Sequence, residues 1–313
     1  MPQKTKPCVF QSCRLLTAAL AAALTTLTAG AQTHDASASP AGGAQALQAK
    51  YLEITPRLEK NQYQRPLLIE STESAEAVSG NAYAVLDAPF SSVSAALKNP
   101  THWCEVMILH INTKYCRATS EASPTTLKVN IGKKTPQDLS DAFALDFSFR
   151  QAAVTPDFLA VQLNADKGPM GTSRYRIELH AAPLPGNKTF MHLTYSYGFG
   201  LAGKLAMQGY LSTVGSGKVG FTQLPGGTKS GSATAYVGGM RAAVERNTMR
   251  YYLAIDAYLA SLRQSPGQQL DARLNQWFNA TEQFALQLRE VDRASYLDMK
   301  KSEYARQQAG PAR

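Results

Sequence analysis

Residues Gly239 to Leu262 read GMRAAVERNTMRYYLAIDAYLASL. Met240, Val244, Thr248, Tyr251, Ile255, Leu259 and Leu262 recur at steps of three or four, so one side of a long helix is apolar and is expected to be buried. Arg241, Glu245, Arg246, Arg250, Asp256 and Arg263 lie on the other side and are expected to face water. The stripe mixes Met, Val, Thr and Tyr where a solidly packed helix would favour Leu and Ile. It therefore suits the wall of a cavity, with Met240, Val244, Tyr251 and Ile255 bordering a void and Arg246 and Arg250 outside it.

The segments before the helix supply a surface to receive it. Phe143, Leu145, Phe147 and Phe149 alternate with polar or small residues, as do Leu159, Val161 and Leu163. Tyr175, Ile177 and Leu179 continue the pattern, and so do Met191, Leu193, Tyr195 and Tyr197. Period-two alternation predicts an antiparallel sheet with one apolar and one wet face. His180 and His192 fall on the wet side. Turn residues at Thr155-Pro156-Asp157, Lys167-Gly168-Pro169 and Pro185-Gly186-Asn187 separate the strands.

Further upstream, strands are expected at Leu67–Ser71 and Ala77–Leu86, a short helix at Phe90–Asn99, a strand at Trp103–Leu109 and another at Thr113–Ala118. Residues 44–61 fit a helix with Leu47, Tyr51, Ile54 and Leu58 on one side, which Pro56 is expected to break or bend. Downstream of Pro266, Leu270, Leu274, Trp277, Thr281, Phe284, Leu288 and Val291 keep a heptad-like spacing that predicts a second amphipathic helix. The charged tail beyond it reads as helical, with Ser295 and Asp298 as its cap.

The amino-terminal end is organised for export. Lys4, Lys6 and Arg14 precede the uncharged run Leu15 to Gly30 and the small triplet Ala29-Gly30-Ala31, so residues 1–31 read as a signal peptide cleaved after Ala31. A periplasmic or secreted protein is expected. Losing those three positive charges lowers the net charge from +9 to +6. The surplus is scattered, which argues against nucleic acid and allows transient contact with an anionic membrane surface. Cys104 and Cys116 alone survive cleavage and are expected to form a disulfide.

The order of strands, short helix, antiparallel strands and long helix resembles the helix-grip fold of the START-like (SRPBCC) superfamily. The cues are Gly80 to Phe90 (GNAYAVLDAPF), Trp103 after the short helix, and the helix from Met240. The resemblance implies an α+β domain over residues 66–263, in which a curved antiparallel sheet grips a long helix, with a leader and short helix over 32–65 and a helical extension over 264–313. It also implies binding or transfer of lipids, sterols or other apolar molecules, though some relatives are cyclases or hydrolases.

No motif argues for covalent chemistry or a metal. The five histidines lack metal-ligand spacing, Ser216-Gly217-Lys218 has Ser212 where the first glycine of a phosphate loop should stand and Val219 after the lysine, and no Gly-x-Ser-x-Gly elbow occurs. No cofactor is expected. The candidate ligand-binding set is apolar with polar tips: Trp103, Phe147, Phe149, Leu163, Tyr175, Ile177, Tyr195, Tyr197, Met240, Val244, Tyr251 and Ile255. An enzyme acting on an apolar substrate would need a charge pointing inward, such as Asp146, Arg150 or Glu178. A third reading is an envelope interaction module that docks through the helix from Leu270 to Val291. The Gly198–Leu211 stretch fits either a lid or membrane-touching loop, or a helix and turn buried over the sheet.

Overall fold

The computed structural model describes residues 40–119, 125–213, 215–225 and 234–310. The expected signal peptide and the whole polar segment 226–232 lie outside them. The alternating segments form eight strands: β1 (Leu67–Glu73), β2 (Ala77–Leu86), β3 (Thr113–Thr119), β4 (Thr126–Ile131), β5 (Phe143–Val154), β6 (Leu159–Lys167), β7 (Thr172–Leu184) and β8 (Lys188–Phe199). They make one antiparallel sheet in the order β1-β2-β8-β7-β6-β5-β4-β3. Register shifts near Gln151 in β5 and Ser173 in β7 bend the strands. The curved sheet holds the long helix α5 (Gly239–Ser261) against β1, β2 and β8. The fold is thus the α+β helix-grip arrangement, with further helices after α5. Gly80 in β2 sets the distance of approach, because a Cβ there would collide with Thr248 Oγ1 of α5.

Helices α1 (Pro40–Glu59), α2 (Phe90–Leu97), α3 (Pro100–Met107), α4 (Leu201–Ser212), α6 (Gln269–Glu282), α7 (Ala285–Leu288) and α8 (Arg293–Ala309) complete the described architecture. The strand expected at Trp103–Leu109 is α3 instead. The side chain of Asn99 accepts the Thr101 N–H at 2.9 Å and Pro100 fills the first turn, a strong helix start. Trp103, Cys104, Val106 and Met107 are all buried, so the segment is apolar on nearly every side and its period carries no signal. α1 continues through Pro56, which stands within one turn of its end and so removes little helical bonding.

Two expectations about exposure are corrected by these helices. The outer sheet face is not wet throughout: Leu47, Ile54 and Leu58 of α1 pack on Leu68, Tyr83 and Phe190. His192 stacks on Tyr83 at 4.2 Å beneath this layer, and burial lowers its pKa to about 4. The polar side of α5 is likewise covered, because α6 and α7 pack along it. Glu245, Arg246 and Arg250 are buried, while Leu262 of the apolar stripe is 39% exposed. Glu245 accepts the backbone N–H groups of Phe221 and Thr222 and the Ser71 hydroxyl.

The heptad-like spacing does not produce one helix. α6 ends before Phe284, whose backbone (φ −119°, ψ 45°) leaves the helical region, and α8 starts anew. Its cap is Asp292, accepting from the Ser295 N–H at 3.0 Å, rather than Ser295 or Asp298. Leu274, Trp277 and Phe278 face their own domain, so the surface expected to dock a partner is used internally. The Gly198–Leu211 stretch divides: Gly198 and Phe199 are the buried end of β8, and the rest is α4, a mostly exposed helix. Cys104 and Cys116 are bonded, tying α3 to β3.

Candidate functional site

Sheet and α5 bring all twelve expected ligand-binding residues into one buried cluster. They do not line a uniform void. Trp103, Leu163, Ile177, Val244 and Ile255 are fully covered, so neighbouring side chains close the space around Val244 and Ile255. At the tyrosine end Tyr175 and Tyr195 keep 7% and 6% of their surface.

That end is built from alternation and helical period together. Tyr175 on β7 and Tyr195 and Tyr197 on β8 point to the same face because β7 and β8 pair across it. Tyr251 reaches them from α5, with its ring 5.4 Å from that of Tyr195. Tyr175 stacks on Tyr197 at 5.3 Å and shares a hydrogen bond with Thr172 Oγ1 at 2.8 Å. Burial raises the pKa of all four phenols, so they remain neutral hydroxyls. Those of Tyr195, Tyr197 and Tyr251 make no hydrogen bond among the described residues, apart from the nearby Asn247 amide beside Tyr195.

His110 adds a polar group that the sequence reading missed. Its Nδ1 accepts the Asn112 N–H at 3.2 Å, and its ring lies 4.9 Å from Tyr251. Its Nε2 is buried with no partner in bonding geometry, although Asn247 is close. Burial, then the charges of Arg250 and Lys300, hold its pKa well below the ordinary histidine value. A neutral imidazole N–H and neutral phenols can receive a ligand's polar atom but supply no strong base.

Over this end lies α4, which packs on β8, α5 and the turn Pro169–Gly171. Gly203 permits the close approach, since a Cβ there would reach the Gly171 carbonyl at 2.6 Å. Met207 and Leu211 rest on the core, while Leu201 and Leu205, one turn apart, are 77% and 60% exposed. The opposite end of α5 opens on a surface groove of about 920 Å³ lined in part by His102, Tyr258, Leu259 and Arg273. Arg273 is held there by Glu105 at 2.5 Å. Asp146 and Arg150 are exposed, and Glu178 bonds Gln162, so none of these three supplies an inward charge.

No protein-family model and no curated protein matches the chain. Solved structures do show similarity. A truncated norcoclaurine synthase from Thalictrum flavum is 10% identical, with a TM-score of 0.31 over 48% of this chain and 87% of that one. Human StAR-related lipid transfer protein 5 is 9% identical, with a TM-score of 0.27 over 51% and 84%. CalU16 from Micromonospora echinospora is 12% identical, with a TM-score of 0.30 over 69% and 98%. The fold assignment rests on the strand order and α5 rather than on these superpositions.

Proposed function

We propose that the protein is an exported, periplasmic or secreted, binding or carrier protein that holds a hydrophobic small molecule, such as a lipid or sterol, without covalent chemistry. The observation that carries this reading is the tyrosine end of the core. The buried His110 Nε2–H lacks a bonded partner there, beside four phenols with polar tips, and a buried polar group without a partner is costly unless something else satisfies it. A ligand with an apolar body and a polar atom would do so, and such sites combine apolar walls with a few polar anchors.

The gate is α4. Swinging it out would uncover Met207 and Leu211 and open the tyrosine end, and its exposed Leu201 and Leu205 would touch a membrane surface during loading. The Cys104–Cys116 bond supports an oxidising compartment, in keeping with residues 1–31 as an export signal. Native mass spectrometry of protein purified without detergent is expected to show a bound lipid-like molecule. Recovery of empty protein that also fails to bind an environment-sensitive apolar dye would overturn the proposal.

A further inference from the structure

Arg246 and Arg250 stand one turn apart on the covered side of α5, close to the tyrosine end. Both are buried, and one carboxylate, that of Glu290, serves Arg250 and two lysines. Glu290 accepts from Arg250 Nη2 at 2.8 Å, from Lys134 Nζ at 2.7 Å and lies 3.5 Å from Lys218 Nζ. Among the described residues Arg246 has no carboxylate in contact, and its Nη1 bonds the Val219 carbonyl at 3.2 Å. Three cations thus converge on one anion, with Arg246 one turn from Arg250. Arg250 Nε is buried without a partner, as is the neighbouring His110 Nε2. Burial and the adjacent Arg250 lower the Arg246 pKa to about 10.

Buried like charges one turn apart repel, and unpaired buried donors are costly. An added anion would relieve both. The lysine side chains are 26% and 28% exposed, so the cluster is reachable from solvent. It adjoins the tyrosines: the charge of Arg246 is felt at Tyr197, and residue 250 precedes Tyr251. The geometry points to a receptor for the carboxylate or phosphate end of an amphiphilic ligand, made by Arg246, Arg250, Lys134 and Lys218, with Glu290 as an internal substitute that occupies the arginine in the ligand's absence. This assignment rests on the proposed binding of an apolar molecule at the tyrosine end, and it specifies that molecule as an anionic amphiphile.

The test measures binding of dodecanoate, dodecanol and inorganic phosphate to the full purified chain by calorimetry. Dodecanoate is expected to bind about tenfold more tightly than dodecanol, and phosphate about tenfold or more weaker than dodecanoate. Arg246→Gln is expected to abolish the preference for dodecanoate while changing dodecanol affinity less than about twofold. Glu290→Gln, which releases Arg250 from its internal partner, is expected to strengthen dodecanoate binding, an outcome that a merely structural role for the cluster does not give. Equal affinities of the two chains would overturn the anion receptor and leave the apolar-ligand proposal standing. Binding of neither chain would overturn both, and phosphate as tight as dodecanoate would replace the amphiphile with a free anion. If Arg246→Gln does not fold, Lys134→Gln with Lys218→Gln, at partly exposed positions, carries the test, and an undiminished preference there would overturn the assignment.

Discussion

The two ends of α5 are built on different principles. Toward its carboxy terminus, Leu253, Ala254, Ile255 and Ala257 are fully covered, and Trp103 is buried with its indole N–H bonded to the Leu97 carbonyl at 2.7 Å. The side chains facing the sheet there are packed, and the groove at Tyr258 and Leu259 lies on the surface beyond them. Toward its amino terminus the helix meets phenols, an imidazole and two arginines, with His110 Nε2 and Arg250 Nε left without partners, beneath an exposed helix. One end therefore supplies stability, while the other keeps unsatisfied chemistry available for a partner.

The largest expected effect lies at the packed end. Trp103→Ala removes a fully buried indole and its hydrogen bond, and is expected to cost about 3–5 kcal/mol in urea denaturation. A loss under about 1 kcal/mol would mean that this end is as loosely filled as the other.

A pH effect is expected at the polar end, beside that of the buried His192 under α1. The folded pKa of His110 lies below its unfolded value, so the unfolded chain binds more protons as pH falls below 6.5, and stability falls with it. The groups facing it are Arg250, Lys300, Lys134 and Asn247, of which three are cations that oppose its protonation. His110→Asn is expected to flatten the acid side of the stability profile. An unchanged slope in that variant would remove His110 from the account.

The tyrosine hydroxyls are expected to matter little for folding. Tyr195→Phe with Tyr251→Phe deletes hydroxyls that make no full hydrogen bond, so stability is expected to stay within about 1 kcal/mol while affinity for dodecanol falls about tenfold. A large stability loss with unchanged affinity would reverse the assignment of the two ends. Smallest of all, Leu201→Ser with Leu205→Ser is expected to shift stability by no more than about 0.5 kcal/mol while reducing sedimentation with anionic phospholipid vesicles. Retained vesicle binding would remove α4 as the membrane contact.

Strand alternation and the stripe of α5 made the sheet-helix core legible, because the facing sides of those elements share one apolar environment. Trp103–Leu109 was not legible as a helix, since burial on nearly every side erases its period. Arg246 and Arg250 read as water-facing because charge on a helix ordinarily marks solvent, and only the return of α6 and α7 over α5 buries them. His110 carried no signal at all: a lone histidine acquires its meaning from Tyr251 and Arg250, which the fold alone brings to it. β4, Thr126–Ile131, did alternate cleanly and could have been read.

Amide chemical shifts of the labelled protein during titration with dodecanoate compare the two ends directly. Perturbations are expected to centre on Tyr195, Tyr197, Met240 and Tyr251 and to extend into α4, with the surroundings of Trp103 and Ile255 unmoved. Shifts confined to the groove at Tyr258, Leu259 and Arg273 would contradict the account and place the binding site at the other end of α5.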